Sequence, residues 1–154
     1  MTATHFLPTR RLLALTPLLF AAALAGGCMH ASHAGPPQAA GEYATERVSA
    51  QGAWRISYKS DPTPIPVHRL HAWTLHVASP DGTPVTGAAI KVDGDMPQHG
   101  HGLPTRPRVT RELGNGDYLV EGVKFQMGGW WVMDFEVTAA GRTDRVRFNL
   151  QLGK

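Results

Sequence analysis

The run Trp131-Val132-Met133-Asp134-Phe135-Glu136-Val137 places an apolar side chain at every second position, with Asp134 and Glu136 between them. A period of two is the pattern of a β-strand that buries one face and exposes the other. After a turn at residues 141–144, the alternation repeats at Val146, Phe148, Leu150 and Leu152. The pattern predicts two consecutive strands whose inner faces belong to one core.

Five earlier stretches carry the same alternation, more weakly in the fourth of them. Their apolar positions are Trp54, Ile56 and Tyr58; Trp73, Leu75 and Val77; Ala88, Ile90 and Val92; Val109 and Leu113; and Tyr118 and Val120. Turn residues separate these stretches, and no helical period follows residue 51. The seven short strands predict an all-β fold, a seven-stranded immunoglobulin-like β-sandwich over residues 52–154.

The charge balance argues against nucleic acid as a partner. The chain has 154 residues and a formal net charge of +3, but Arg10 and Arg11 precede the predicted domain. Removing these two from the 15 Lys and Arg residues leaves 13 against 12 acidic residues, without a basic patch or a nucleic-acid-binding motif. The chain also has no nucleophile elbow, phosphate-binding loop or zinc-hydrolase motif, so we expect no enzyme.

The N-terminus has the features of a secretory leader. Arg10-Arg11 is basic, residues 12–24 are largely apolar, and Leu24-Ala25-Gly26-Gly27-Cys28 resembles a bacterial lipobox. These features predict a lipoprotein-type signal peptide over residues 1–27, a lipid anchor on Cys28, and a location on the periplasmic side of the bacterial cell envelope. The alternative is a plain signal peptide cleaved elsewhere, which leaves a spare thiol. Residues 28–51, rich in Ala, Gly, Ser and Pro, predict a flexible tether.

A stretch broken by Gly and Pro, Asp95-Met96-Pro97-Gln98-His99-Gly100-His101-Gly102-Leu103-Pro104, holds one thioether and two imidazoles. Another Met follows at Met127-Gly128-Gly129. In an antiparallel sandwich each strand reverses the one before it, so alternate loops lie at the same end. The loops at residues 59–69, 94–106 and 124–129 therefore share one end. We expect Met96, His99, His101 and Met127 to lie there together, with His68 and His71 nearby.

Two thioethers and two imidazoles suit Cu(I), which accepts soft ligands in low coordination, whereas Zn(II) prefers Cys, His or carboxylate ligands. We therefore predict a copper site, as Cu(I), at Met96, His99, His101 and Met127. An added oxygen ligand from Asp95 would shift the preference toward Cu(II) or Zn(II). A purely structural interpretation also fits these residues. In that interpretation Met96 fills a gap in the core and Met127 packs on Trp130. One imidazole bonds to a backbone carbonyl and the other faces water, and His71 is a satisfied residue at the core edge.

Several motifs together resemble those of a known family. They are Trp73-x-Leu75-x-Val77, Asp81-Gly82-x-Pro84-Val85-x-Gly87-Ala88, Met96-Pro97-x-His99-x-His101-Gly102, Gly116-x-Tyr118 and Met127-x-Gly129-x-Trp131. Over about residues 70–150, this pattern resembles the YtkA-like domains, which are small envelope-facing β-sandwiches of bacteria and are often lipid-anchored. The resemblance implies the same fold and compartment, and it associates some members with metal or copper handling.

Two functions follow from these predictions. The first is an envelope-anchored binding module, held to the membrane by its lipid, that captures copper or another soft metal. The alternative is a metal-free interaction or accessory domain of the envelope, in which residues 96–107 and an exposed Trp130 contact a partner protein.

Overall fold

The computed structural model describes Met1, residues 35–36 and residues 40–153. The chain divides into two compact units, Met1–Ala31 and Ser32–Lys154, and every element below belongs to the second. The predicted signal peptide, apart from Met1, and the predicted lipidation site at Cys28 lie outside the described residues. Within the described part of the chain, no helix is both long and apolar enough to cross a bilayer.

The described chain is built from strands after one short 3₁₀ turn at Ala40–Tyr43. The strands are β1 (Glu46–Val48), β2 (Arg55–Asp61), β3 (His71–Ala78), β4 (Ala89–Met96), β5 (His101–Gly102), β6 (Arg108–Gly114), β7 (Asp117–Val123), β8 (Gly129–Ala139) and β9 (Arg142–Leu152). They form two antiparallel sheets, ordered β1-β2-β3-β7-β6 and β5-β4-β8-β9.

The longer strands, β2, β3, β4, β6, β7, β8 and β9, are those predicted from the sequence. When these seven strands are labelled A to G in chain order, strands A, B, E and D (β2, β3, β7 and β6) form one sheet. Strands C, F and G (β4, β8 and β9) form the other. This division is that of a constant-type immunoglobulin domain. The predicted all-β sandwich is confirmed, with two additional strands: β1 has 3 residues and β5 has 2. Strands this short contain too few positions to show a period.

Aromatic side chains fill much of the space between the sheets. Trp73, Trp131 and Phe148 have no exposed surface. Tyr58 stacks on Trp73 with ring centroids 4.4 Å apart and meets Phe148 edge-on at 5.0 Å. Each large aromatic ring buries about 150–250 Å² and has few rotatable bonds, so such contacts hold both sheets rigidly. The loops at the ends of these strands therefore start from fixed positions.

Described secondary structure is present before residue 52, the predicted start of the domain. β1 pairs with β2 in antiparallel register, with Arg47 opposite Ile56. Ser49 is buried, and its hydroxyl donates to Asp144 Oδ2 at 2.6 Å. Asp144 Oδ2 also accepts the backbone N–H groups of Gln51 and Ala53. The last part of the segment predicted as a tether is thus folded, because a carboxylate distant in sequence supplies its hydrogen bonds.

Tyr118 ties the connection between β3 and β4 to the sheet that contains β7. Its hydroxyl donates to the carbonyl of Val85 at 2.7 Å and accepts the N–H of Ala88 at 3.1 Å. The ring itself is buried in the core. Since β4 carries the first residues of the candidate site, this anchor fixes where that strand enters the second sheet.

Candidate metal site

A tight hairpin at the end of β4 positions three of the predicted ligands. The carbonyl of Met96 accepts the N–H groups of His99 at 2.9 Å and Gly100 at 3.0 Å. Gly100 has a φ of +66°, which L side chains rarely adopt, and it turns the chain back into β5. Met96 and His101 are then directly opposite each other across β4 and β5. Opposite residues in antiparallel strands project from the same face of the sheet.

The two imidazoles of the hairpin are neighbours. The ring centroids of His99 and His101 lie 5.9 Å apart, with an angle of 38° between the ring planes. His99 is exposed and His101 is half-buried. The centroid of His101 also lies 5.6 Å from that of Trp131, which it meets edge-on. His99 is therefore on the solvent side of the pair, and His101 packs against the indole ring of Trp131.

The two thioethers lie on the core side of the hairpin. Met96 is 1% exposed, and a Cβ added to Gly129 would come within 2.6 Å of its Cε. Met96 therefore packs closely against the first residue of β8, which must be Gly. Met127 is partly buried and packs against the core, and its carbonyl accepts the indole N–H of Trp131 at 3.0 Å.

A hydrogen bond joins the β4–β5 hairpin to the turn that contains Met127. Gln126 Nε2 lies 2.9 Å from His101 Nδ1 and donates to the carbonyl of Gly102 at 3.2 Å. Loops 94–106 and 124–129 thus lie at the same end of the sandwich, as the strand parity predicts. Convergence of all four predicted ligands on one ion stays a prediction. Sequence reasoning missed Gln126, because a polar residue in a turn carries no periodic signal.

His71 also lies at this end, and only one of its two ring nitrogens has a hydrogen-bond partner. It is 8% exposed, its Nδ1 lies 3.1 Å from the carbonyl of Arg69, and its Nε2 is buried without a partner. Since a carbonyl only accepts, Nδ1 carries the proton and Nε2 keeps a bare lone pair. Burial lowers the pKa of His71, with a smaller lowering from the charge of Arg69, and outweighs the opposing backbone hydrogen bond. His71 is a core-edge residue, as expected, but only one nitrogen is satisfied.

Unsatisfied polar atoms gather at this end of the sandwich. In the described residues, the buried side-chain atoms without a hydrogen-bond partner are His71 Nε2, Trp73 Nε1, Thr105 Oγ1 and Gln126 Oε1. All but Trp73 Nε1 belong to loops or strand ends at the same end of the sandwich as Met96, His99, His101 and Met127. Buried polar groups are normally paired, so such a concentration is typical of a place where a water or ligand binds.

Carboxylates take no part in this group. Asp95 is exposed and lies opposite Gly102, one position from Met96, so it projects from the other face of β4. It therefore does not supply the oxygen ligand that would shift the preference toward Cu(II) or Zn(II). The described chain contains no cluster of three or more His, Cys, Asp and Glu side chains that could hold a metal ion. An ion at this end would depend on the imidazole pair with thioethers.

The expectation of an exposed Trp130 is wrong. Trp130 is 7% exposed, and its indole N–H donates to Asn149 Oδ1 at 3.0 Å. Asn149 in turn donates to the carbonyl of Glu42, in the 3₁₀ turn before β1. Strand parity places Trp130 on the outer face, but the folded N-terminal segment bonds to β9 there and helps to cover that face.

Comparisons with known proteins give a family for the chain and little else. A family model described as YtkA-like matches residues 60–136, which is half of the chain. No protein of curated function matches. Among solved structures, a DUF4426 family protein from Pseudomonas aeruginosa PAO1 has 18% sequence identity and a TM-score of 0.49, over 66% of this chain and 91% of that one. Identity this low says nothing of function.

Proposed function

We propose that this chain, which belongs to the YtkA-like family, binds Cu(I) or another soft metal ion at the end of the sandwich that carries Met96, His99, His101 and Met127. The separation of the two imidazoles carries the proposal. Two imidazoles that share an ion at a metal–nitrogen distance of about 2.0 Å have ring centres roughly 5–6 Å apart. The ring centroids of His99 and His101 are 5.9 Å apart. The spacing of the two rings therefore matches that of an imidazole pair that shares an ion.

The thioethers decide which ion fits. Met96 is held in place by its contact with Gly129, and Met127 lies next to Gln126, which bonds to His101. Thioether sulfur is a soft ligand that favours Cu(I) over hard cations such as Mg²⁺ and Ca²⁺. The exposed Asp95 projects away from this face. A set of imidazoles and thioethers without carboxylates therefore favours a monovalent soft ion.

The proposed setting is the periplasmic side of the bacterial cell envelope. The leader at residues 1–27 and the lipobox-like sequence that ends at Cys28 support a lipid anchor there. In this proposal the protein is a binding module rather than an enzyme: it captures the ion and keeps it near the membrane surface. The outward side of the imidazole pair, where His99 is exposed, is the side from which an ion would enter and leave.

An anaerobic titration of the full chain with Cu(I), in competition with a chromophoric chelator, tests the proposal. The parent protein should carry Cys28→Ser, because a free thiol would itself bind Cu(I). One ion should bind per chain. His99→Ala and Met127→Leu should each weaken binding.

The matched control for this titration is His76→Ala. His76 bonds to Asp117 at 2.6 Å on the outer face of β3, away from the Met/His loops. That variant should bind Cu(I) like the parent. If His99→Ala and Met127→Leu also bind like the parent, or if the parent does not bind at all, the proposed function is wrong.

A second candidate is a metal-free contact with an envelope protein. Leu70 supports it, because this side chain is 65% exposed at the same end of the sandwich. Large exposed apolar side chains are common anchors of protein interfaces. If this candidate is correct, a partner protein that is pulled down with the parent should be lost with Leu70→Ser and retained with His99→Ala. The metal proposal instead predicts that Leu70→Ser has no effect on Cu(I) binding.

A further inference from the structure

We propose that the indole ring of Trp131 is a further contact of the bound ion, made through the electron-rich face of the ring. The inference deepens the proposed function and rests on it, because it adds a residue to the same site. An indole offers no lone pair in its ring plane to a metal, so a search of the sequence for ligand types passes over it. Its face nevertheless attracts cations through the ring quadrupole, most strongly of the aromatic side chains.

Trp131 lies beside three of the four proposed ligands. Its indole N–H donates to the carbonyl of Met127 at 3.0 Å, and its ring centroid lies 5.6 Å from that of His101. Gly129 is two positions earlier on β8 and therefore on the same face of that strand. Met96 packs there, since a Cβ added to Gly129 would come within 2.6 Å of Met96 Cε. The indole is thus part of the wall that the thioethers and the imidazole of His101 share.

The proposed ligands place the ion on the indole side of His101. An ion that binds imidazoles and thioethers together lies between them, and Met96 and Met127 lie on the core side of the hairpin. Trp131 is on the core side too, with no exposed surface. A metal about 2.0 Å from an imidazole nitrogen is roughly 3 Å from the centre of that ring. With the two ring centroids 5.6 Å apart, such an ion comes within about 6 Å of the indole centroid, which is the range of a cation–π contact.

Neighbouring groups hold the indole in place for this contact. Phe125 meets it edge-on with ring centroids 5.2 Å apart, and neither ring has any exposed surface. The hydrogen bond to the carbonyl of Met127 fixes the rotation of the ring about its attachment to the chain. The ring therefore needs no reordering when an ion arrives, and its burial strengthens the attraction.

The expected size of the effect is that of one buried cation–π contact, which changes an affinity by roughly ten- to thirtyfold. Trp131→Leu removes the aromatic face and should weaken Cu(I) binding by roughly that factor. This variant also leaves space in the core and removes the hydrogen bond to Met127. The decisive experiment therefore keeps the size of the ring and its N–H group.

The test is a series of tryptophans with one, two and three fluorine atoms, incorporated at position 131 alone in the full chain that carries Cys28→Ser. Each fluorine withdraws electron density from the ring face and changes the size of the ring little. The Cu(I) affinity should fall stepwise along the series. The same series at position 54 is the matched control and should leave the affinity unchanged. Trp54 is also buried, and its N–H also donates to a backbone carbonyl, that of Val137, but Trp54 precedes β2, at the opposite end of the sandwich.

The direction of the change separates the ring face from the N–H group. Fluorine makes the indole N–H a stronger donor, so a role of Trp131 through its bond to Met127 alone predicts an affinity that stays the same or rises. That result, or an equal fall at positions 131 and 54, would overturn the inference. The proposed function would still stand, because Cu(I) binds the parent. If Cu(I) binds neither the parent nor the fluorinated proteins, the proposed function and this inference both fail.

Discussion

Replacing Gly129 by Ala should destabilise the domain through two separable effects. Gly129 has a φ of +125°, and a Cβ added there would lie 2.6 Å from Met96 Cε. A left-handed backbone costs an L side chain about 1–2 kcal/mol. An extra methyl group in a packed core costs about 1–3 kcal/mol more, and Met96 has little room to retreat because it is 1% exposed. The free energy of unfolding should therefore fall by about 2–5 kcal/mol.

Urea unfolding followed by tryptophan fluorescence measures this loss, and two further variants separate its parts. Gly82→Ala is the matched control: its φ is +90°, and no atom lies within 4 Å of its added Cβ. That variant reports backbone strain alone. In a Met96→Ala background, Gly129→Ala should lose the steric part, so the two changes should couple by about 1–3 kcal/mol. If Gly129→Ala costs no more than Gly82→Ala and its effect is additive with Met96→Ala, the described packing of Met96 on β8 is incorrect.

Three further predictions concern stability and location. Burial by itself would raise the pKa of Asp144, but hydrogen bonds from Ser49 and the backbone outweigh it and lower the pKa. The ionised carboxylate of Asp144 therefore stabilises the fold fully at a pH above the pKa that this group has in the unfolded chain. The stabilisation is lost as the pH falls through the lower pKa of Asp144 in the folded protein. Asp144→Asn should cost about 1–3 kcal/mol at neutral pH and flatten the acid dependence of urea unfolding; an unchanged acid dependence would count against the hydrogen-bonded carboxylate. Tyr118→Phe removes the bonds to Val85 and Ala88 and should cost about 1–3 kcal/mol in the same assay, whereas a loss no larger than the error of that assay would contradict the anchor. Cys28→Ala should release the protein from membranes on fractionation, and unchanged membrane association would exclude the lipid anchor.

The alternating stretches predicted the fold because burial and side-chain direction follow the same period in a strand. Trp131, Met133, Phe135 and Val137 are buried as their alternation requires. The pattern could not find β1, because its pairing depends on backbone groups and on contacts such as Ser49 with Asp144. These contacts join residues far apart in the sequence, and no local pattern encodes them.

The candidate site was predictable in its location but not in its details. Strand parity places loops 94–106 and 124–129 at one end, since successive antiparallel strands must reverse direction. Alternation correctly places Trp130 on the outer face, but it could not show that Trp130 is buried there, where the N-terminal segment bonds to Asn149. It also could not show that Gln126 bonds to His101, because that contact depends on side-chain orientation within a turn.

The most direct test of the copper site is X-ray absorption spectroscopy of the Cu(I)-loaded full chain that carries Cys28→Ser. Without that thiol, the methionine thioethers are the source of sulfur neighbours. The proposal predicts both nitrogen and sulfur in the first coordination shell, and less sulfur in Met127→Leu. A first shell of nitrogen and oxygen alone, identical in the protein with and without Met127→Leu, would contradict a site built from both His and Met side chains.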